Sequence, residues 1–155
     1  MIAVRVQSEP IDSAAAIAAL TEGRDDVGAV VTFAGFVRAD DGLIALTLEH
    51  YPAMTHRALA AIAAEAEARW PVTGGSVVHR VGRMLPGEAI VLVAVASAHR
   101  AAAFDAAAFL MDWLKTKAPF WKSEERAGGA TWVAAKASDD TAAARWNKPA
   151  SSRSD

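Results

Sequence analysis

The stretch that decides how this chain is organised begins at Ser97-Ala98-His99-Arg100 and ends at Leu114-Lys115-Thr116-Lys117-Ala118-Pro119-Phe120-Trp121-Lys122. The alanine-rich residues between these two segments predict a long helix, which must stop before Pro119 because proline clashes with helix continuation. Lys115 then falls in the last helical turn, and Lys122 lies beyond the break. A bend between them predicts that the two amines meet at one pocket, a cationic site suited to an anionic ring compound.

The start of this predicted helix is basic, which is unusual. His99 and Arg100 occupy its first turn, where cations are mildly unfavourable for the helix. The free N–H groups of that turn favour an anion, so the pair is either a phosphate site or a polar turn without a function. Arg38 ends an apolar strand at a turn, where it either lies in solvent or clamps a phosphate or carboxylate through two hydrogen bonds.

The composition of the chain limits the classes of function that it can have. The chain has 155 residues, a net charge of −2 and no cysteine. This length suits one domain, predicted over residues 1–146, followed by a polar, disordered tail over 147–155. The small net charge argues against nucleic-acid or membrane binding, and the lack of cysteine excludes disulfides, thiolate metal sites and a cysteine nucleophile. The N-terminus has no signal-peptide layout and no apolar run approaches ~18 residues, so a soluble, cytoplasmic protein is predicted.

Hydrophobic periodicity predicts an α+β protein with a mostly antiparallel sheet. The predicted strands are 1–7, 27–37, 43–51, 77–81, 90–96 and 131–135, and the predicted helices are 14–20, 54–70, 98–117 and 139–146. The Asp41-Gly42 pair is a strong turn signal. The second and third strands are therefore expected to form a hairpin.

The histidines and tryptophans give weaker signals. The four histidines lack metal-ligand spacing, so no metal site is predicted. No cofactor is predicted either. His50 and His79 lie on predicted strands, where a hydrogen-bonded structural role is commoner than a catalytic one. Trp113 suits the core, whereas Trp121 beside the lysines could stack on a ring ligand.

Four further groups of segments follow one another along the chain: Gly28–Phe33 running to Gly35 and Val37-Arg38; Leu46–Pro52; His79–Gly82 with Pro86–Glu88; and His99-Arg100 with Met111–Lys117 and Ala118–Lys122. In this order they resemble the large, catalytic subunit family of molybdopterin synthase. Together they span roughly residues 27 to 146. One such segment alone would be weak evidence for the resemblance, but four segments in the family's order are specific evidence.

The resemblance implies an α/β hammerhead-type fold plus a small extra β-sheet. It implies a sulfurtransferase of molybdenum cofactor biosynthesis, which converts cyclic pyranopterin monophosphate to molybdopterin by inserting two sulfurs. The sulfur donor would be a small ubiquitin-like subunit with a C-terminal Gly-Gly thiocarboxylate, in a heterotetramer built on a homodimer of this chain. The rival interpretation is a non-catalytic anion- or nucleotide-binding α+β module that oligomerises through its sheet.

The resemblance also implies roles for individual residues. Lys115 would be the principal catalytic residue, and Lys122 would bind substrate and assist. Without the resemblance, lysines near a helix end would more simply lie in water. The implied substrate-binding residues are Phe36, Val37, Arg38, His99, Arg100, Lys115, Lys122, Ser123, Glu124 and Lys136.

Two features of this set concern a second copy of the chain. The substrate phosphate would be held by Arg38 with His99 and Arg100, and the last two could come from the neighbouring protomer. Lys136 stands where the family often has an arginine that reaches the adjacent protomer. The charge is kept there, but the planar guanidinium fork is not.

Overall fold

The structure is a computed structural model that describes residues 1–134 and 137–147. Over those residues the strands are β1 (Ile2–Gln7), β2 (Ala29–Phe36), β3 (Ala45–His50), β4 (Val72–Arg80), β5 (Gly82–Met84), β6 (Ala89–Ser97), β7 (Phe120–Arg126) and β8 (Gly129–Val133). The helices are α1 (Ser13–Thr21), α2 (Pro52–Arg69), α3 (Arg100–Lys117) and α4 (Ala137–Ala144). Single turns of 3₁₀ helix cover Asp40–Gly42 and Arg145–Asn147. Every predicted strand and helix is present with shifted ends, and β5 and β7 are additional.

The first sheet has the strand order β1-β4-β6-β2. β1 runs parallel to β4, and the other neighbours are antiparallel. Side chains alternate between the two faces of the central strand β6, as the pleat requires. Val93 packs with Leu59 of α2 and Phe109 of α3 in the main core, whereas Ala94 packs with Leu20 of α1 on the opposite face. The sheet is therefore covered by α2 and α3 on one side and by α1 on the other.

The second sheet has the order β5-β3-β7-β8 and is antiparallel throughout. Its inner face carries a separate small core formed by Val37, Leu46, Leu48 and Met84. Two sheets with a single parallel pair confirm the predicted α+β class with a mostly antiparallel arrangement and an extra β-sheet. The space between the two sheets at the end of α3 is where the candidate site lies.

The predicted hairpin between the second and third strands is wrong. β2 pairs with β6 in the first sheet, and β3 pairs with β5 and β7 in the second. After β2, the N–H of Val37 donates to the carbonyl oxygen of Glu88 at 2.9 Å, and its own carbonyl accepts from Gly87 at 2.8 Å. These bonds hold the chain against the turn that follows β5. The Asp40–Gly42 turn therefore carries the chain across to the second sheet instead of folding it back on β2.

Strand β4 begins at Val72, earlier than the predicted start at residue 77, and it includes Gly74 and Gly75. A Cβ on Gly75 would lie 3.0 Å from the carbonyl oxygen of Ala94 and 2.9 Å from Cγ1 of Ile2. The glycine is therefore needed for close approach of neighbouring strands, which its turn-forming character hides in the sequence.

The C-terminal part also differs in its bounds. The helix predicted over 139–146 is observed as α4, and the 3₁₀ turn follows it. Of the tail predicted over 147–155, residues 148–155 lie outside the described residues, as does Lys136. No helix within the described ranges is long and apolar enough to cross a membrane.

Candidate active site

A cavity of about 510 Å³ lies where the C-terminal end of α3 meets β2 and the inner face of the second sheet. Among the described residues, three cations line it: Arg38 after β2, Lys115 in the last turn of α3, and Lys122 in β7. Much of the remaining wall is apolar, with Phe33 from β2 and Leu48 from β3 among its residues. The prediction that the two lysines meet at one pocket is confirmed.

The break at Pro119 produces this convergence. α3 ends at Lys117, and the N–H of Phe120 donates to the carbonyl oxygen of Ala118 at 2.9 Å as β7 begins. Lys122 pairs with Leu48 of β3 and shares the face of β7 that Phe120 occupies, because side chains alternate along a strand. Lys122 therefore faces the same cavity as Lys115.

Lys122 belongs to a small charge network. Its Nζ lies 3.2 Å from Oε1 of Glu124, and Oε2 of Glu124 lies 2.7 Å from Nη1 of Arg126. The hydrogen bond from Arg126, followed by that from Lys122, holds the pKa of the Glu124 carboxyl below its usual range. Glu124 is therefore an anion that orients Lys122 beside the cavity.

The remaining predicted residues near the cavity have different positions. Phe36 and Arg38 line the cavity, whereas Val37 is buried in the second core. Arg38 is exposed and its Nη2 lies 2.8 Å from Oδ2 of Asp40. Ser123 pairs with Trp132 on the outer face of the second sheet, so its side chain points away from this cavity.

His99 and Arg100 are not brought to the cavity of their own chain. They are exposed at the N-terminal end of α3, as predicted, but Lys115 lies at the other end of this 18-residue helix. At 1.5 Å per residue the two ends are roughly 25 Å apart. One chain therefore holds two separate groups of cations.

The positions of the tryptophans agree only partly with what the sequence suggests. Trp113 packs against the main core, and Nζ of Lys117 lies 4.3 Å from its ring centroid, outside the cavity. Trp121 and Trp132 are exposed on the outer face of the second sheet, 52% and 62% respectively, and neither lines the cavity. Trp121 is therefore not placed to stack on a ligand bound in the cavity of its own chain.

His79 is a buried residue of the cavity wall. It is only 7% exposed, and its ring stacks on that of Phe120 with centroids 4.0 Å apart. Its Nδ1 lies 2.9 Å from the carbonyl oxygen of Arg80, in agreement with the predicted hydrogen-bonded role. His50 differs from expectation, since its Nδ1 has no hydrogen-bond partner among the described residues.

Burial sets the charge of His79. It lowers the pKa of the imidazole to about 4. The hydrogen bond to the carbonyl oxygen of Arg80 acts against this lowering, and the electrostatic effects of Lys115 and His50 add to it. The unfolded chain would take up a proton here near pH 6.5, whereas the folded chain takes it up only near pH 4. Stability therefore falls as the pH drops through this window.

We expect the free energy of unfolding to fall by about 3 kcal/mol on this account between pH 7 and pH 4, at about 1.36 kcal/mol per unit of pKa. Denaturant titrations across this range would measure it. His79→Gln should flatten the pH dependence, whereas His56→Gln, which changes an exposed histidine of α2, should leave it unaltered. An identical acid decline in His79→Gln and the unsubstituted chain would refute this assignment.

Among the side chains that the structure describes, no group of three histidines, aspartates or glutamates is placed to hold a metal ion. The described polar side chains that line the cavity are two amines, one guanidinium and one neutral imidazole. Such a set can bind an anion and transfer protons. Together with the fold, it defines a class: an α+β protein with a cationic cavity that is walled largely by apolar side chains and suited to an anion.

Comparisons with known proteins identify the family. The family model described as MoaE protein matches residues 6–117. A molybdopterin synthase catalytic subunit from Mesorhizobium japonicum is 58% identical over 146 residues, which cover 92% of each chain. This chain belongs to the MoaE protein family.

Solved structures agree. The molybdopterin biosynthesis MoaE protein from Burkholderia ambifaria has a TM-score of 0.82 at 48% identity, covering 96% of this chain and 99% of that one. A protein–protein complex of subunits 1 and 2 of molybdopterin-converting factor from Helicobacter pylori contains a chain with a TM-score of 0.73 over 84% of this chain and 89% of that one. At 20% identity the second likeness shows the fold alone.

Proposed function

We propose that this chain is the catalytic subunit of molybdopterin synthase, a sulfurtransferase that inserts two sulfurs into a cyclic pterin phosphate. The observation that carries the proposal is the convergence of Arg38, Lys115 and Lys122 on one cavity in a member of this family. Nothing among the described residues favours the non-catalytic alternative. Strands of both sheets line the cavity, which supports a single domain over residues 1–146. We propose that the protein is located in the cytoplasm.

The cations have distinct proposed roles. Arg38, exposed at the rim, binds phosphate oxygens, for which it must exchange its ion pair with Asp40. Lys115 transfers protons at the reacting carbons. Lys122 stabilises the negative charge that develops as the cyclic phosphate opens, while Glu124 keeps its amine in place.

The sulfur must come from a partner, because the chain has no cysteine to carry it. The donor that we propose is a small ubiquitin-like subunit whose C-terminal Gly-Gly ends in a thiocarboxylate. Each transfer exchanges the sulfur of that terminus for an oxygen atom taken from the pterin or from water, which leaves a carboxylate. Two sulfurs therefore require two thiocarboxylated donors. The relative from Mesorhizobium japonicum is described as a catalytic subunit, which supports the presence of a second subunit.

A second copy of the chain supplies the missing cations in this proposal. β2 is an edge strand, and its eight residues carry neither a charge nor a proline, the usual protections of an edge. Two β2 edges paired antiparallel about a two-fold axis would place the start of one strand opposite the end of the other.

That pairing connects the two groups of cations. The residue before β2, Gly28, donates to the carbonyl oxygen of Ser97 at 3.0 Å, so the start of β2 lies beside His99 and Arg100. The end of β2 leads into Arg38 at the cavity. A homodimer built this way would carry the partner's basic pair toward this cavity, which supports their proposed role in binding the phosphate.

The tail of the small subunit gives a sharp test. Only glycine has no side chain to obstruct a narrow entry, so replacing the donor's last glycine with phenylalanine should reduce turnover by roughly 100-fold or more. Calorimetry of the complex and mass spectrometry of the pterin product would separate binding from transfer. The same substitution at an exposed position of the donor far from its tail is the control.

Inorganic sulfide provides a second test of the proposed sulfur source. At the concentration of the donor, sulfide should be a poor substitute because it lacks the tail that positions sulfur beside Lys115. Efficient turnover with sulfide and no small subunit would contradict the proposed sulfur source.

A further inference from the structure

The polar side chains of the cavity are strongly biased toward donation. Arg38, Lys115 and Lys122 are cations that donate hydrogen bonds and accept none. The other lining side chains in the described part of the chain are apolar, except for His79. A ligand with N–H groups therefore finds one nitrogen acceptor among these side chains, and it is on His79.

The hydrogen bond at Nδ1 decides which ring nitrogen of His79 can accept. The carbonyl oxygen of Arg80, 2.9 Å away, has no proton to donate, so Nδ1 must carry the proton. In the neutral ring, Nε2 then holds a free lone pair. Nε2 has no hydrogen-bond partner among the residues that the structure describes.

The ring is also held in one orientation. β4 is hydrogen-bonded on both sides, and His79 pairs with Val6 of β1 and Val91 of β6. Phe120 covers one face of the ring at 4.0 Å with an interplanar angle of 21°. The groups that act electrostatically on it are Lys115 and His50, and burial keeps it neutral at pH 7. Its free nitrogen is thus a fixed, uncharged acceptor in a cationic cavity.

We propose that His79 is a specificity-determining residue of this site, whose Nε2 accepts a hydrogen bond from an N–H group of the bound ring. This inference rests on the proposed function, since a pterin ring carries such N–H groups. The cations bind the phosphate end of the pterin ligand, and His79 accepts a hydrogen bond from its ring end. Phosphate alone, which lacks N–H donors, gains nothing from His79.

Two variants separate this role from a structural one. Asparagine at position 79 can donate from its amide nitrogen to the carbonyl oxygen of Arg80, but it ends short of the Nε2 position. Glutamine reaches that position and presents an amide oxygen as an acceptor. His79→Gln should therefore keep recognition of the ring, whereas His79→Asn should lose it while keeping the backbone contact.

The probe is 6-hydroxymethylpterin, which has no phosphate, bound to this chain and followed by its fluorescence. His79→Asn should weaken its affinity by about tenfold, and His79→Gln by much less, as expected for loss of one buried hydrogen bond. Affinity for inorganic phosphate should stay unchanged in both variants. With the complete two-subunit enzyme, KM for the cyclic pterin phosphate should rise in His79→Asn with little change in kcat.

Several results would overturn the inference. These are equal pterin affinity in His79→Asn and the unsubstituted chain, parallel loss of phosphate and pterin binding in both variants, and no pterin binding by the unsubstituted chain. If either variant fails to fold, the unsubstituted chain with probes N-methylated at each ring N–H in turn replaces it, and at least one probe should bind about tenfold more weakly. Pterin binding that depends on His79 without any turnover would instead remove the proposed function and leave this inference standing.

Discussion

Replacing Lys115 with alanine is expected to reduce formation of the pterin product with two added sulfurs by on the order of 10³-fold, the usual scale for loss of a proton-transfer group. Lys115 lines the cavity in the last turn of α3 and its side chain is exposed, so the fold has little need of it. Thermal unfolding and association with the small subunit should stay as they are. Product would be measured by mass spectrometry after reaction with a thiocarboxylated donor.

Lys117→Ala is the matched control for this substitution. Lys117 lies in the same last turn of α3, but its Nζ is over the ring of Trp113 at 4.3 Å and it does not line the cavity. Removing it deletes an equal charge from the same helix end, so turnover should change by less than about twofold if only the cavity matters. Near-normal turnover in Lys115→Ala, or equal losses in the two variants, would remove Lys115 from the catalytic role.

Mixed dimers of two inactive variants are expected to recover activity. If Lys115 of one protomer works with Arg100 of the other, a dimer of Lys115→Ala and Arg100→Ala chains has one site with both defects and one intact site. Such dimers, isolated through two different affinity tags, should show about half of the unsubstituted turnover, whereas each variant alone is strongly impaired. Both residues are exposed, so the substitutions should not disturb folding.

A site built from a single protomer predicts a different turnover for the mixed dimer. If both cations came from the same protomer, each site of the mixed dimer would carry one defect and turnover would stay at the level of the impaired parents. Mixed dimers of Lys115→Ala with the unsubstituted chain calibrate the measurement, since they also have one intact site. Failure of the doubly tagged dimers to exceed their parents would contradict the proposed two-chain site.

The features that sequence predicts correctly here are the ones controlled by local chemistry. Pro119 ends α3 and turns the chain into β7, which is enough to predict that Lys115 and Lys122 meet. The start of α3 at a basic pair is equally local. The distance of that pair from the cavity, however, follows from the length of α3 and from the position of the second sheet.

Features set by partners distant in the chain are the ones that sequence misses. The Asp-Gly turn after β2 looks like a hairpin, but the hydrogen bonds of Val37 to the 87–88 turn direct the chain to another sheet. β7 is too charged to resemble a strand until β3 and β8 flank it. His79 can be assigned to a strand from its neighbours in sequence, but its tautomer and its free nitrogen depend on Arg80 and Phe120 in the folded chain.

Reconstitution of the complete reaction tests the central claim most directly. This chain, a small subunit ending in a Gly-Gly thiocarboxylate and cyclic pyranopterin monophosphate would be mixed, and the pterin products followed by mass spectrometry. We predict a product that has gained two sulfurs, with the donor terminus converted to a carboxylate, and no such product when this chain is omitted. Absence of sulfur transfer, although the chain binds both the donor and the pterin, would contradict the proposed function.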